Sequence, residues 1–193
     1  EIVKTPLFIN SDGANRFDVN QGMLGNCWFM AALSAFTART DLFHLVVPPD
    51  QSCTDNYAGI FHFQFWHYGK WVDVVIDDRL PTVFGNLVYA KSTDPNEFWQ
   101  SLIEKAYAKL YGSYKHIEGG QMSEAFEDMT GGVSENHNVK EAGRDTIFDI
   151  LVRGLHSRSL CAAAIFPPPV KVGGLPKVLL RLRNPWGNKT EWN

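Results

Sequence analysis

Cysteine is scarce in this chain. The three present, Cys27, Cys53 and Cys161, are too few and odd in number to close into a disulfide set. No Cys-x-x-Cys pair offers a structural zinc site. Unpaired cysteine fits a reducing compartment, so a cytoplasmic location is expected. Long apolar runs are missing as well: none reaches the span of about 18 residues that a transmembrane helix needs. The opening string "EIVKTPLFINSDG" has no apolar h-region and no small-residue cleavage site, so no signal peptide is expected. Charge of one sign is also lacking. Lys plus Arg is 18 and Asp plus Glu is 21, a net charge of -3. That balance gives no reason to expect nucleic acid or an anionic membrane as partner. No D-x-[DN]-x-[DN]-G-x₅-E loop is present, which excludes an EF-hand. No internal repeat is visible.

What remains is a chain of 193 residues, 45% hydrophobic and 13% aromatic, enough for a packed core in one domain or two small lobes. Residues 1–20 read as loop, broken by Asn10, Asp12, Gly13 and Asn15. From Asn26 the pattern turns helical, with Phe29, Ala32, Leu33 and Phe36 at i, i+3, i+4 and i+7. Residues 59–77 predict a hairpin: Phe61, Phe63 and Phe65 alternate, Tyr68-Gly69 turns, and Val72, Val74 and Ile76 return on one face. "NEFWQSLIEKAYAKLYG" predicts a helix with Phe98, Leu102, Ala106 and Leu110 at i+4 steps and Gly112 past its end. Gly119-Gly120 reads as a hinge, and Ser123 as the cap of a short helix ending at Gly131-Gly132. A further helix is expected from about Asp145 to Leu155, then strands at "LCAAAIF" and "KVLLRLR". The pattern suggests an α+β protein of two lobes.

The string "QGMLGNCWFMAALSAF" sets Cys27 between a glycine-rich turn and an apolar helix. The first turn of a helix has unpaired N–H groups and the positive end of the macrodipole, which favour an anion. Gly22 and Gly25 are expected to let the backbone turn sharply and leave the sulfur open. Gln21 has an amide N–H₂ that can point at a tetrahedral oxyanion beside the sulfur. An isolated cysteine among Trp28, Phe29 and Met30 would otherwise read as core.

That segment resembles the active-site segment of the calpain family, papain-like cysteine proteases that depend on calcium. "GANRFDVNQG", "GKWVDVVIDDRLPT", "NEFWQSLIEKAYAKLYGSY", "SEAFEDMTGGV" and "RLRNPWGN" also resemble calpain core motifs, in the family's order. The resemblance implies a two-lobed papain-like core: a first lobe over 1–120, mostly helical with a hairpin, and a mixed, incomplete second lobe over 121–193. It implies Cys27 as nucleophile, with Gln21 and the Cys27 backbone N–H as the oxyanion hole. It implies Asn184 as the residue that orients a catalytic histidine and Trp186 as the shield over that contact. An amide can fix an imidazole's tautomer, and an indole above the bond excludes water. The resemblance also implies Ca²⁺. The matching first-lobe positions are the carbonyls of Gly13 and Ser11 with the Asp18 and Glu97 carboxylates; Glu191 matches a second-lobe ligand. Protein substrates follow, as do regulatory domains or a subunit beyond this stretch, since "EWN" stops where the family continues.

One part of the pattern is missing. In calpains the histidine sits in a "GHAY"-like strand some two dozen residues before the asparagine. Here His44, His62, His67, His116, His137 and His156 all lie in other contexts, and "PPPVKVGGLPKVLL" fills the interval. Three consecutive prolines cannot donate ladder hydrogen bonds. Three origins are open: a segment missing from the reading of the gene, a spliced form, or a true pseudoprotease. Two functions are therefore carried forward: a calcium-dependent cysteine endopeptidase working through Cys, His and Asn, or a catalytically inactive module that binds calcium or protein partners.

Overall fold

The computed structural model describes residues 2–164. The expected strand at "KVLLRLR" and the residues Asn184, Trp186 and Glu191 lie outside the described residues. Within them the architecture is mixed α+β, with six helices and two small sheets. Helix α1 spans Cys27–Phe36 and α2 Thr40–Val46. Strands β1 (Ile60–His67) and β2 (Lys70–Asp77) form one antiparallel pair; the short β3 (Thr82–Val83) and β4 (Asn86–Leu87) form another. Helix α3 spans Trp99–Leu110, a 3₁₀ turn Tyr114–Ile117, α4 Met122–Thr130, α5 Val139–Ala142 and α6 Arg144–His156.

The long hairpin forms as its period-2 pattern predicts. Phe61 pairs with Ile76, Phe63 with Val74 and Phe65 with Val72, so one face is apolar up to the His67–Lys70 pair beside the turn. Tyr68 and Gly69, the two loop residues, both have positive φ, 49° and 79°. Such a loop matches the right-handed twist of the strands it joins. The apolar face packs on α3, whose stripe of Phe98, Leu102 and Ala106 is buried. Helix α1 lies against the other side of the same core. Phe29, Ala32, Leu33 and Phe36 are all fully buried, and the Phe29 ring stacks on Tyr107 of α3 at 4.1 Å and 11°. Burying a Phe or Leu side chain of this kind stabilises the fold by about 1.5–3 kcal/mol. Helix α4 joins this core through Ala125 and Met129. The Asp128 carboxylate on α4 accepts hydrogen bonds from Tyr107 at 2.7 Å and Tyr111 at 2.6 Å.

Three sequence expectations need correction. The cap of α4 is Gln121, not Ser123: Gln121 and Glu124 form a reciprocal capping box, and Ser123 falls inside the first turn. A long amide at the N-cap reaches back as well as a hydroxyl does once a glutamate stands three residues on. The C-terminal end is as expected, with Gly131 left-handed at φ 66°. Residues 160–164 of "LCAAAIF" form no strand; a strand exists by pairing, and no described strand lies beside them. Gly120 is less a hinge than a close contact: a Cβ there would stand 2.5 Å from the Trp28 ring, while Gly119 carries the positive φ.

Candidate active site

Cys27 is the first residue of α1, and it is exposed. As the first helical residue its own amide has no acceptor inside the helix. Asn26 precedes it as N-cap, and its carbonyl accepts from the Phe29 and Met30 amides at 3.0 and 3.1 Å. The apolar side of α1 pulls Phe29 and Met30 into the core, while Trp28 lies beneath Gly120 and donates its indole N–H to the Ile117 carbonyl at 3.0 Å. The helix start is thus anchored on both flanks, with the sulfur left at the surface.

The loop before it is held by a neighbouring segment. Asn20 and Lys91 exchange backbone hydrogen bonds at 3.1 and 3.0 Å, and the Met23 amide donates to the Val88 carbonyl at 2.9 Å. Gly22 sits so close to this segment that a Cβ would stand 2.2 Å from the Tyr89 carbonyl oxygen. Its φ is not positive, nor is that of Gly25, which faces open space. The expected sharp-turn role of these glycines is therefore corrected: Gly22 serves close approach of two backbones, and Gly25 meets neither condition. Gln21 Nε2 donates to the Leu24 carbonyl at 2.5 Å, and its Oε1 is buried with no partner among the described residues. That contact uses one of its two amide protons. A shallow cleft of about 350 Å³, lined by Gln21 to Gly25, opens along the loop that leads into Cys27.

Sequence reasoning missed the residue that ties these parts together. Glu104 of α3 is fully buried. Its Oε1 accepts from Asn26 Nδ2 at 2.7 Å, and its Oε2 from the Ala90 amide at 2.8 Å. Ser101, one turn earlier, donates to the Ala90 carbonyl at 2.6 Å. Burial pushes the Glu104 carboxyl up to about 7, against the opposing pull of its two hydrogen bonds. Asn26 Oδ1 is buried without a partner among the described residues. The signal that could have found Glu104 is the polar stripe Glu97, Gln100, Ser101, Glu104 at i, i+3, i+4, i+7, every member of which is buried.

Of the expected calcium positions, Ser11, Gly13, Asp18 and Glu97 are among the described residues. Glu97 is buried, and its carboxylate accepts from the Asn10 amide at 2.9 Å, Ser92 Oγ at 2.7 Å and Gln100 Nε2 at 2.8 Å. It forms no ion pair among the described residues. The Asn10 contact lays the turn carrying Ser11 and Gly13 beside that carboxylate, and Gly13 has a φ of 77°. Asp18, also buried, accepts from the Asn15 amide at 2.8 Å and Asn15 Nδ2 at 2.9 Å. No group of three or more His, Cys, Asp or Glu side chains stands together among the described residues. The three donors to the buried Glu97 carboxylate are all neutral, and a carboxylate of this kind suits a hard cation that takes oxygen ligands.

No described histidine is bonded to Cys27. His62 pairs with Asp73 at 2.9 Å, His116 with the Tyr111 carbonyl at 2.9 Å, and His137 with Glu135 at 3.2 Å. No helix of the described residues is long and apolar enough to cross a membrane.

A model of the family described as calpain family cysteine protease matches residues 1–174. The chain is 50% identical to Calpain clp-1 of Caenorhabditis elegans, covering all of this chain and 28% of that protein. It is 47% identical to Calpain-A of Drosophila melanogaster, covering all of this chain and 26% of that protein. It is 45% identical to the Calpain-1 catalytic subunit of Bos taurus, covering all of this chain and 30% of that protein. The chain therefore spans under a third of the length of these relatives. The matches to the worm and bovine proteins run over 217 positions against 193 residues here, a difference of 24.

Proposed function

The chain belongs to the calpain family of cysteine proteases, and from that premise we propose that it forms the papain-like core of a calcium-dependent cysteine endopeptidase acting on intracellular proteins. The observation that carries this reading is Cys27 itself: an exposed thiol at the first position of a buried-face helix, with Gln21 in the loop before it. In this reading the Cys27 sulfur attacks the scissile carbonyl carbon, and the C=O electron pair moves to oxygen. The Cys27 backbone N–H and the second proton of Gln21 Nε2 hydrogen-bond that oxyanion. The histidine takes the Cys27 thiol proton as the sulfur attacks and gives it to the amine expelled on collapse; it then takes a proton from the water that attacks the thioester and returns it to the Cys27 sulfur as the acid leaves. Asn184 orients that histidine and Trp186 covers the contact, by the family's motif "RLRNPWGN".

Asp18, Glu97 and the carbonyls of Ser11 and Gly13 are the groups that would hold the first-lobe Ca²⁺, with Glu191 contributing in the second lobe. Bound there, the ion would supply the missing counter-charge for the buried Glu97 carboxylate and pin the 11–18 turn to the start of α3. The 11–18 turn runs directly into Asn20 and Gln21, so the tie supports the oxyanion loop.

A second reading rests on a specific observation. No described histidine reaches Cys27, and the relatives carry at least 24 positions with no counterpart here. On that reading the chain is an inactive calpain-like module that binds calcium or protein. A fluorogenic peptide assay with calcium separates the two. Turnover lost in Cys27→Ala supports the peptidase; no turnover, with calcium binding retained, supports the module. Sequencing the transcript across residues 160–185 shows directly whether a histidine-bearing stretch belongs there.

A further inference from the structure

The nucleophile reading leaves Glu104 unused, although it is among the most costly residues in the core. A carboxylate taken out of water and given no cation is destabilising. A glutamine would fill the same place with no charge to bury. Costly choices of this kind concentrate where function demands them. The position agrees. Asn26 is the last residue before Cys27, and Ala90 belongs to the segment that brackets Asn20, Gly22 and Met23. One carboxylate therefore spans the two backbones whose relative placement sets the distance from Gln21 to Cys27.

We propose that Glu104 is a positioning residue for the nucleophile: it clamps the helix start that carries Cys27, through Asn26, to the Ala90 backbone that supports the Gln21 loop. The clamp rests on the reading of Cys27 as the nucleophile and deepens it. Two oxygens with two donors in different segments make a fork that a single hydroxyl or amine cannot reproduce. Ser101 donates to the Ala90 carbonyl, so α3 holds this residue through the peptide groups on both sides of it. The groups facing Glu104 are few. They are Asn26 at the start of α1, the Ala90 amide, and the Tyr114 hydroxyl from the 3₁₀ turn, itself pushed up by burial and by the Glu104 charge. No lysine, arginine or histidine bonds to it among the described residues. The carboxyl titrates in the neutral range, so the strength of the clamp varies there.

The test is the rate of Cys27 alkylation by iodoacetamide, which needs no histidine, in protein carrying C53S and C161S so that one thiol remains. Glu104→Gln keeps a donor and an acceptor and should stay within about threefold of the parent. Glu104→Leu cuts the clamp from one side and Asn26→Ala from the other; each should slow alkylation about tenfold, the weight of one well-placed hydrogen bond. The double variant should be no slower than either single one, because both cut the same link. The ratio of parent to Glu104→Gln rates should also change across pH 7, which a purely structural residue would not cause. Near-UV circular dichroism checks the fold of each variant. If Glu104→Leu does not fold, Asn26→Ala and the pH-dependent ratio decide. Clamp-cutting variants that react within about twofold of a fast parent thiol, with a flat ratio, overturn the proposal and leave Cys27 as nucleophile. A parent Cys27 that reacts no faster than glutathione at any pH overturns both.

Discussion

Glu104→Gln should make this protein more stable at pH 8 and change little at pH 4.5. The folded chain holds the Glu104 carboxyl up to about 7, against 4.5 for the free side chain. The folded state thus binds this proton more tightly than the unfolded state does. The stability it contributes is fully present below 4.5 and is lost as pH rises through about 7. At 1.36 kcal/mol per unit, that interval amounts to about 3 kcal/mol. Glutamine stays neutral throughout and loses nothing. Its Oε1 can accept from the Ala90 amide. If the Asn26 amide turns over, Asn26 Oδ1 accepts from the new Nε2, and Nδ2 takes the place of an oxygen that has no partner among the described residues, so the number of unpaired buried atoms does not rise. The assay is urea unfolding of both proteins at half-unit steps from pH 4.5 to 8.5. The native midpoint should fall with pH relative to the variant, by about 1 M or more over the range for typical urea slopes. A difference that stays constant with pH would refute the argument, as would a variant less stable than the native chain at pH 8.

Three further outcomes follow from the same geometry. Gly22→Ala places a Cβ 2.2 Å from the Tyr89 carbonyl oxygen, which is backbone and cannot swing aside. It should cost about 1–3 kcal/mol in thermal unfolding and slow Cys27 alkylation, whereas Gly25→Ala, in open space, should do neither. Gly120→Ala drives a Cβ to 2.5 Å from a Trp28 ring pinned through Ile117, and should shift tryptophan fluorescence and lower the melting temperature with a similar loss of about 1–3 kcal/mol. Millimolar calcium should raise the melting temperature of the native chain, by the mass-action stabilisation of any ligand bound to the folded state alone. Asp18→Ala and Glu97→Gln should abolish that rise; a rise that survives both would remove these residues from the ion's shell.

The parts of the fold that local periodicity controls were legible in the sequence. The Phe61-Phe63-Phe65 alternation, the Tyr68-Gly69 turn and the i, i+4 stripe of α3 each declare themselves within a dozen residues, and each is found. The helix start at Cys27 was legible for the same reason. The errors arose where a partner decides. Ser123 looked like the cap because hydroxyls cap helices, yet Glu124 lets Gln121 close the box one turn boundary earlier. Residues 160–164 are apolar, but three are alanines, which favour strands little, and they pair with no described strand. Gly22 is required by the Tyr89 carbonyl, which stands 67 residues away and leaves no trace near position 22.

The candidate site divides along the same line. Gln21 and Cys27 stand out as candidates because they sit in one short string, while Asn184, Trp186 and Glu191 rest on motif resemblance and lie outside the described residues. Glu104 was hidden by a rule that usually works. A polar stripe at helical spacing ordinarily faces water. Here Glu97, Gln100, Ser101 and Glu104 face inward, and their partners at Asn10, Asn26, Ala90 and Ser92 are loop backbone and side chains that have no periodicity of their own. Loops without regular structure still need their peptide groups bonded once buried. A helix that turns a polar stripe toward two such loops supplies those bonds, and in doing so fixes the loops relative to each other. That is why the stripe ends one turn from each feature the family reading needs: Glu97 at the turn of Ser11 and Gly13, and Glu104 at the residue before Cys27.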